Sequence, residues 1–328
     1  MASTDRIAVL VPGRLHPHAV ARIGKEFDLV ALPSADPGLV TQELAGRVRG
    51  VAAMTTIGAA FIDALPRLEI IANFGVGYDA VDAKHAGSTG VMVTNTPDVL
   101  TEEVADTAIG LLLNTVRELP KAEAWLRAGN WVSKGDYPLT RATLRGRRVG
   151  IFGMGRIGLA IARRVEAFGL PVSYYNRRTV EGVGYTWYPS LLGLAGAVDT
   201  LISVAPGGAS TEKAVNRQVL EALGPNGVFV NIGRGSTVDE DALAQALADG
   251  TILAAGLDVF RNEPNVPESL LKLENASLLP HVGSASVHTR TAMADLVVDN
   301  LAAWFASGKP LTAVAETAHV VVGARSAR

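Results

Sequence analysis

Between Arg148 and Arg178 the chain reads strand, glycine turn, helix, strand, and that order leaves few folds open. Arg148-Val149-Gly150-Ile151-Phe152 is a short apolar run of the kind buried in a parallel sheet. Gly153-Met154-Gly155-Arg156-Ile157-Gly158 follows as a complete G-x-G-x-x-G. Residues 159–168 have helical spacing and stop at Gly169, and residues 171–175 resume a strand pattern. Two parallel strands need a crossover of this length, so the stretch predicts a βαβ unit. Within such a unit each glycine has a physical use. Gly153 permits the turn, Gly155 lets a pyrophosphate approach the backbone, and Gly158 lets helix and strand pack closely. The helix N-terminus adds N–H groups and a positive dipole end. The glycine pattern alone is a weak signal; inside a complete βαβ unit it points to a dinucleotide.

The end of the second strand bears on which dinucleotide. An acid there bonds the ribose 2′-OH of NAD. Here the positions read Asn176-Arg177-Arg178-Thr179, with no acid before Glu181. Two guanidiniums suit a 2′-phosphate, which a carboxylate would repel. The expected cofactor is therefore NADP, with NADPH preferred over NADH; a solvated basic turn is the plainer alternative.

The 328 residues suffice for two domains with full cores. In the first hundred, strand patterns at 7–11, 29–32, 51–54, 69–74 and 91–94 alternate with helical ones such as 18–26 and 37–47. That alternation predicts a parallel sheet covered on both faces. Pro12-Gly13-Arg14 stands where a second glycine fingerprint would, so no second dinucleotide is expected. His16 and His18, flanking Pro17, read as surface residues. After a break at Pro97, Thr101 caps a helix running to about residue 117, and a second helical piece reaches about 128. The first carries a broad apolar face (Ala105, Ala108, Ile109, Leu112, Leu113 and Val116) that fits either an interdomain contact or a dimer surface. Residues 129–138 read as irregular. Strands at 199–205, 228–232, 254–260 and 277–279, with helices at 212–223 and 240–249, bring the dinucleotide domain to six strands. Ala292, Leu296, Val297, Leu301 and Trp304 then mark a helix that returns the chain to its first domain. The fold expected is α/β, with two doubly wound parallel-sheet domains. A Rossmann-type coenzyme domain, 101–286, is inserted into a flavodoxin-like substrate domain built from 1–100 and 287–328.

Composition narrows the function classes. With 48% hydrophobic and 19% charged residues and a net charge of -2, nothing suggests nucleic acid or an anionic membrane surface. The absence of cysteine excludes disulfides, thiolate metal sites and cysteine nucleophiles, and no metal is expected. The first apolar run is too short for a signal segment and follows Asp5; no run approaches a membrane span. A cytoplasmic protein is the expectation.

Three ionisable residues stand just past the carboxyl ends of late strands: Arg234 after 228–232, Glu263 after 254–260, and His281 after 277–279. In an open parallel sheet that edge binds ligands, and the Gly153 turn lies on it too. Hydride delivered to a carbonyl carbon leaves an alkoxide that needs a proton, and imidazoles titrate nearest neutral pH. Glu263 can orient the imidazole and favour its protonated form, and Arg234 can hold a carbonyl and a carboxylate oxygen together. Singly, each has a structural reading: a His after Pro, a helix-capping Arg, a solvated turn Glu. Gly75-Val76-Gly77 is a further candidate, since two glycines around one Val let consecutive N–H groups converge on a small carboxylate; a plain strand-to-helix turn is the alternative. His288 and His319 have no comparable setting.

The chain resembles the D-2-hydroxyacid dehydrogenases over about residues 51–310. The motifs are Asn73-Phe74-Gly75-Val76-Gly77-Tyr78-Asp79, Thr94-Asn95-Thr96-Pro97, Thr101-Glu102-Glu103-Val104-Ala105-Asp106, the Gly153 fingerprint, Asn231-Ile232-Gly233-Arg234-Gly235, Gly256-Leu257-Asp258-Val259-Phe260 and Leu279-Pro280-His281. Within that family it is most similar to the NADPH-dependent glyoxylate/hydroxypyruvate reductases and the hydroxyphenylpyruvate reductases. The resemblance implies that Arg234, Glu263 and His281 are catalytic, with His281 the proton donor. It implies that Val76, Gly77, Arg234 and His281 hold the substrate. It places Gly153, Met154, Gly155, Arg156, Ile157, Gly158, Asn176, Arg177, Arg178, Ile232 and Asp258 on the cofactor. It also implies a homodimer joined through residues 102–131. Some relatives carry a second Trp in that arm, where this chain follows Trp131 with Val132-Ser133-Lys134. The expected function is NADPH-dependent reduction of glyoxylate or hydroxypyruvate. Hydroxyphenylpyruvate reduction is the runner-up, with residues near Met54 and Trp131 deciding. From another class, a non-catalytic nucleotide-sensing regulator is the alternative, against which the complete Arg, Glu and His set stands.

Overall fold

Short apolar runs between amphipathic helices can satisfy their backbone groups only by pairing with one another, and they do so as two parallel sheets. A computed structural model describes residues 6–325. The chain divides into two units, Met1–Leu100 with Ser286–Arg328, and Thr101–Ala285.

In the first unit the strands are β1 (Ala8–Pro12), β2 (Asp28–Leu32), β3 (Val48–Ala53), β4 (Ile70–Asn73) and β5 (Met92–Thr94). They lie in the order β2-β1-β3-β4-β5, all parallel, which is the flavodoxin-like order. Leu10, Val51 and Ile71 from the strands pack with Phe61, Ile62, Leu65 and Leu68 in one buried core. The helix Val287–Ser307 belongs to this unit and buries Val297, Leu301 and Trp304. Arg22 of the helix Pro17–Glu26 ties it down through Asp295 at 2.8 Å and Asp299 at 2.9 Å. The returning chain also covers the edge of β5. The Thr317 hydroxyl accepts the Val93 N–H at 3.0 Å and donates to the Val93 carbonyl at 3.1 Å. Left bare, such an edge invites pairing with another chain. The predicted helix at 37–47 is two pieces, a 3-10 turn at Pro37–Leu39 and a helix Gln42–Arg47, because the Thr41 hydroxyl starts a new cap on Leu44 N–H.

In the second unit the strands are β6 (Val149–Phe152), β7 (Val172–Tyr175), β8 (Thr186–Tyr188), β9 (Thr200–Ser203), β10 (Val228–Asn231), β11 (Ala254–Leu257) and β12 (Ala276–Leu278). Their order is β12-β11-β10-β9-β6-β7-β8, again all parallel. The sheet has seven strands rather than six. The extra one, β8, is three residues long and partly exposed, so no apolar run marks it. The strand order reverses between β6 and β9, and ligands of open parallel sheets bind outside the carboxyl ends at such a point.

The helix Thr101–Arg117 is covered within this unit: Leu111 and Thr115 lie directly over Gly256 of β11. Of the apolar face read from its sequence, Ala105, Ala108, Ile109, Leu112 and Val116 are buried. Residues expected to be irregular include a short helix, Asn130–Lys134; like Leu119–Arg127 before it, it buries none of its side chains. No helix among the described residues is long and apolar enough to cross a membrane.

Candidate active site

Three glycines shape the turn after β6. Gly153 has φ 106°, and a Cβ on it would stand 2.8 Å from Ala205 N, at the exit of β9. A Cβ on Gly158 would run into the Gly153 carbonyl. Around Gly155 nothing lies within 4 Å of where a Cβ would be, so the approach to its backbone is open. Gly155 precedes the helix Arg156–Ala167 and gives it no side-chain cap. First-turn N–H groups have no carbonyl four residues back inside the helix, and without a capping side chain they suit an anion.

The loop after β7 is held at both ends. Asn176 clasps the glycine turn: its Oδ1 accepts from Met154 N at 2.6 Å, and its Nδ2 donates to the Met154 carbonyl at 3.4 Å. The Asn176 carbonyl in turn accepts from Trp187 Nε1 at 3.0 Å, and Val180 N donates to the Tyr174 hydroxyl at 2.9 Å. Between these anchors Arg177 and Arg178 are exposed, and neither has an ion-pair partner among the described residues. Trp187 and Tyr174 escape sequence reasoning. Trp187 acts through a hydrogen bond from β8 to the residue after β7, and Tyr174 through one to the loop after its own strand; the only signal in the sequence is an aromatic pair, Trp187-Tyr188, amid polar residues.

Beyond β10, β11 and β12, Arg234, Glu263 and His281 come together. His281 has a left-handed backbone, φ 54°, which costs a residue with a Cβ and persists only where surroundings impose it. Asp258 imposes it. Its carbonyl accepts from His281 N at 2.8 Å, and its two carboxylate oxygens accept from Val282 N at 2.7 Å and Gly283 N at 2.8 Å. Asp258 is 1% exposed. Burial pushes its carboxyl above the ordinary range, against the opposing pull of those two N–H groups and of His281. The structure thus gives Asp258 a task the sequence did not reveal, shaping the loop that carries His281. Ile232, buried, places its Cδ1 beside Gly283 of the same loop.

The His281 Nδ1 lies 2.7 Å from Glu263 Oε2, and the other Glu263 oxygen accepts from Phe260 N at 2.9 Å. With Nδ1 engaged, Nε2 is the ring atom left for a ligand; no protein group among the described residues bonds it, and the side chain is 47% exposed. Arg234 is fixed by its own main chain: its carbonyl accepts from Asn231 Nδ2 at 3.0 Å and the Thr237 hydroxyl at 2.7 Å, and its Nη1 donates to the Gly233 carbonyl at 2.8 Å. A Cβ on Gly235 would run into the Phe260–Arg261 peptide, and this close approach brings the Arg234 loop against the turn bearing Glu263. Burial pushes the Glu263 carboxyl up. The bond to His281, the Phe260 N–H and the charges of His281 and Arg234 outweigh it, so the net displacement is downward.

That direction predicts a pH dependence. A carboxyl with a depressed folded pKa contributes stability that is present above its ordinary range and lost as pH falls through the folded value. Glu263→Gln should therefore flatten the acid side of the Tm-against-pH curve; a variant with the wild-type acid slope would contradict the displacement.

In the other unit, the loop 75–77 turns its carbonyls inward. Asn73 Nδ2 donates to the carbonyls of Gly75 at 3.2 Å and Gly77 at 3.1 Å, and Asn95 Nδ2 donates to that of Val76 at 2.8 Å. The N–H groups of Val76 and Gly77 meet no protein acceptor among the described residues. Two asparagines thus hold the loop's carbonyls, an arrangement invisible while only the glycines signal the loop.

Residues 109–283 match the model of the NAD binding domain of the D-isomer specific 2-hydroxyacid dehydrogenases. The chain is 52% identical to hydroxyphenylpyruvate reductase of Plectranthus scutellarioides over 266 residues, covering 80% of this chain and 84% of the relative. It is 45% identical to a glyoxylate/hydroxypyruvate reductase A of Arabidopsis thaliana over 310 residues, 94% of this chain and 98% of the relative. Among solved structures, an NADPH-dependent glyoxylate/hydroxypyruvate reductase from Sinorhizobium meliloti in complex with NADP and malonate superposes with a TM-score of 0.94. It is 61% identical, covering 95% of this chain and 98% of that one.

Proposed function

The chain belongs to the D-isomer specific 2-hydroxyacid dehydrogenase family, and from that premise we propose that it reduces small 2-oxo acids, glyoxylate or hydroxypyruvate, to 2-hydroxy acids with NADPH. The observation that carries this reading is the His281–Glu263 pair with Nε2 left open, its carboxylate depressed in part by Arg234. The residues present suit the cofactor: an open backbone at Gly155, an uncapped helix start, and two exposed guanidiniums where a 2′-phosphate belongs. Gly153 to Gly158, Asn176 to Arg178, Ile232 and Asp258 are the proposed cofactor residues, Asn176 and Asp258 acting by shaping the turns on either side. When bound, NADPH supplies the hydride.

The proton comes from this chain. His281 Nε2 delivers it to the oxygen that becomes the 2-hydroxyl, while Glu263 at Nδ1 holds the ring. Arg234 draws electron density from the carbonyl and pairs with the substrate carboxylate. The N–H groups of Val76 and Gly77 are proposed as further donors to that carboxylate, a role supported by the tied-back carbonyls of their loop. Thr101–Ala285 is the proposed coenzyme domain and the other unit the substrate domain. The same reading includes a cytoplasmic location and a homodimer, the dimer supported by the exposed Leu126, Trp131, Val132 and Leu139 on a segment that buries little against its own unit.

The test is a panel of initial rates with NADPH and NADH on glyoxylate, hydroxypyruvate and hydroxyphenylpyruvate. The highest kcat/KM should fall on NADPH with one of the two small acids. A clear preference for hydroxyphenylpyruvate would favour the second reading, which the 52% identity to a hydroxyphenylpyruvate reductase motivates. NADPH binding without turnover on any 2-oxo acid would favour a nucleotide-sensing regulator.

A further inference from the structure

The turn that presents Glu263 is gripped by two carboxylates on consecutive N–H groups. Glu263 itself takes Phe260 N–H at 2.9 Å, and Glu240 takes Arg261 N–H at 2.7 Å. Glu240 opens the helix Glu240–Ala248, whose N-cap is Asp239. Its carboxylate therefore stands on a rigid element, whereas the turn it holds has no regular structure. The Arg261 side chain points elsewhere, to Glu212 at 2.8 Å. The Phe260–Arg261 peptide is thus pressed against Gly235 on one side and held through Arg261 N–H by Glu240.

We propose that Glu240 is a positioning residue for proton transfer at His281. By holding Arg261 N–H it fixes the turn so that Glu263 meets Nδ1, and its charge adds to the negative field around the pair. The inference rests on the reductase reading above and goes beyond it, because Glu240 touches neither the imidazole nor any of the groups assigned to substrate. The charges around Glu240 are Asp241, Arg261 and Glu263; those around Glu263 are His281, Arg234, Asp258 and Glu240. Burial pushes the Glu240 carboxyl up, and the charges of Asp241 and Glu263 add to this, while Arg261 opposes them through its N–H and its charge. Reduction needs a protonated His281, so the rate falls on the alkaline side. Removing a neighbouring negative charge disfavours the imidazolium and moves that limb to lower pH.

The experiment compares Glu240→Ala and Glu240→Gln with wild type, using NADPH and glyoxylate. Gln keeps an acceptor oxygen for Arg261 N–H but no charge. For Glu240→Ala we expect kcat about tenfold lower with KM for NADPH unchanged, and for Glu240→Gln kcat within about twofold of wild type. In both, the alkaline limb of kcat/KM should move down by roughly half a pH unit. Rescue by Gln together with the limb shift is a signature that a merely structural role would not produce. Wild-type kcat and an unmoved limb in Glu240→Ala would overturn the proposal. So would parallel losses of kcat and NADPH affinity in both variants with the limb in place. Wild-type protein inert toward every 2-oxo acid sinks both readings, whereas active wild type with silent Glu240 variants sinks this one alone.

Discussion

Replacing His281 by Asn is expected to lower kcat by about three orders of magnitude while leaving NADPH affinity within about twofold of wild type. The choice of Asn follows from the backbone. At φ 54° an Ala would add strain to the loss of the imidazole, whereas Asn is among the residues that tolerate the left-handed region. Asn keeps the loop that Asp258 holds through Val282 and Gly283, and removes the imidazole proposed to hand over the proton. A general acid contributes about 10²–10⁴-fold, and the upper half of that range is expected here because the ring is already oriented through Nδ1. The measurement is a pair of titrations: steady-state turnover with saturating NADPH, and cofactor binding by quenching of tryptophan fluorescence. Equal losses in the two would mean that His281 supports the cofactor site rather than the chemistry.

The second large effect is on cofactor choice. The double variant Arg177→Ala, Arg178→Ala should lose about a hundredfold in the ratio of kcat/KM for NADPH over NADH, nearly all of it from the NADPH side. Each charge-assisted bond to a phosphate is worth about 1.5–3 kcal/mol. Both guanidiniums are exposed and screened by salt, so the lower end applies, and two bonds give about 3 kcal/mol, or two factors of ten. The loop itself should survive, because its anchors are the Asn176 clasp and the Val180 bond to Tyr174 rather than the arginines. A ratio unchanged by the double substitution would show that the phosphate is bound elsewhere. A loss shared equally by NADH would show that the loop had collapsed.

These residues differ in how they become visible. The glycine turn, the paired arginines and the strand-end positions of Arg234, Glu263 and His281 are legible along the chain, because each is written in a local pattern: apolar period, turn chemistry, distance from the end of a run. The two parallel sheets and the return of the last helix to the first unit follow from the same alternation. Where the pattern is short or two-sided it misleads. The three residues of β8 are too few to show a period. Nothing in the sequence of Thr101–Arg117 marks Leu111 and Thr115 as the pair that lies over Gly256.

Other facts about the site have no local trace at all. Asp258 reaches across to the loop after β12, Asn176 reaches back to the glycine turn, and Glu240 grips the Arg261 N–H from a different helix. A carboxylate or amide carries no mark in the chain of which distant N–H it will meet; that pairing exists only once parallel strands have brought their ends to one edge. The residue types suited to the chemistry are therefore readable one by one, while the grip that holds them at hydrogen-bond distance belongs to the folded chain.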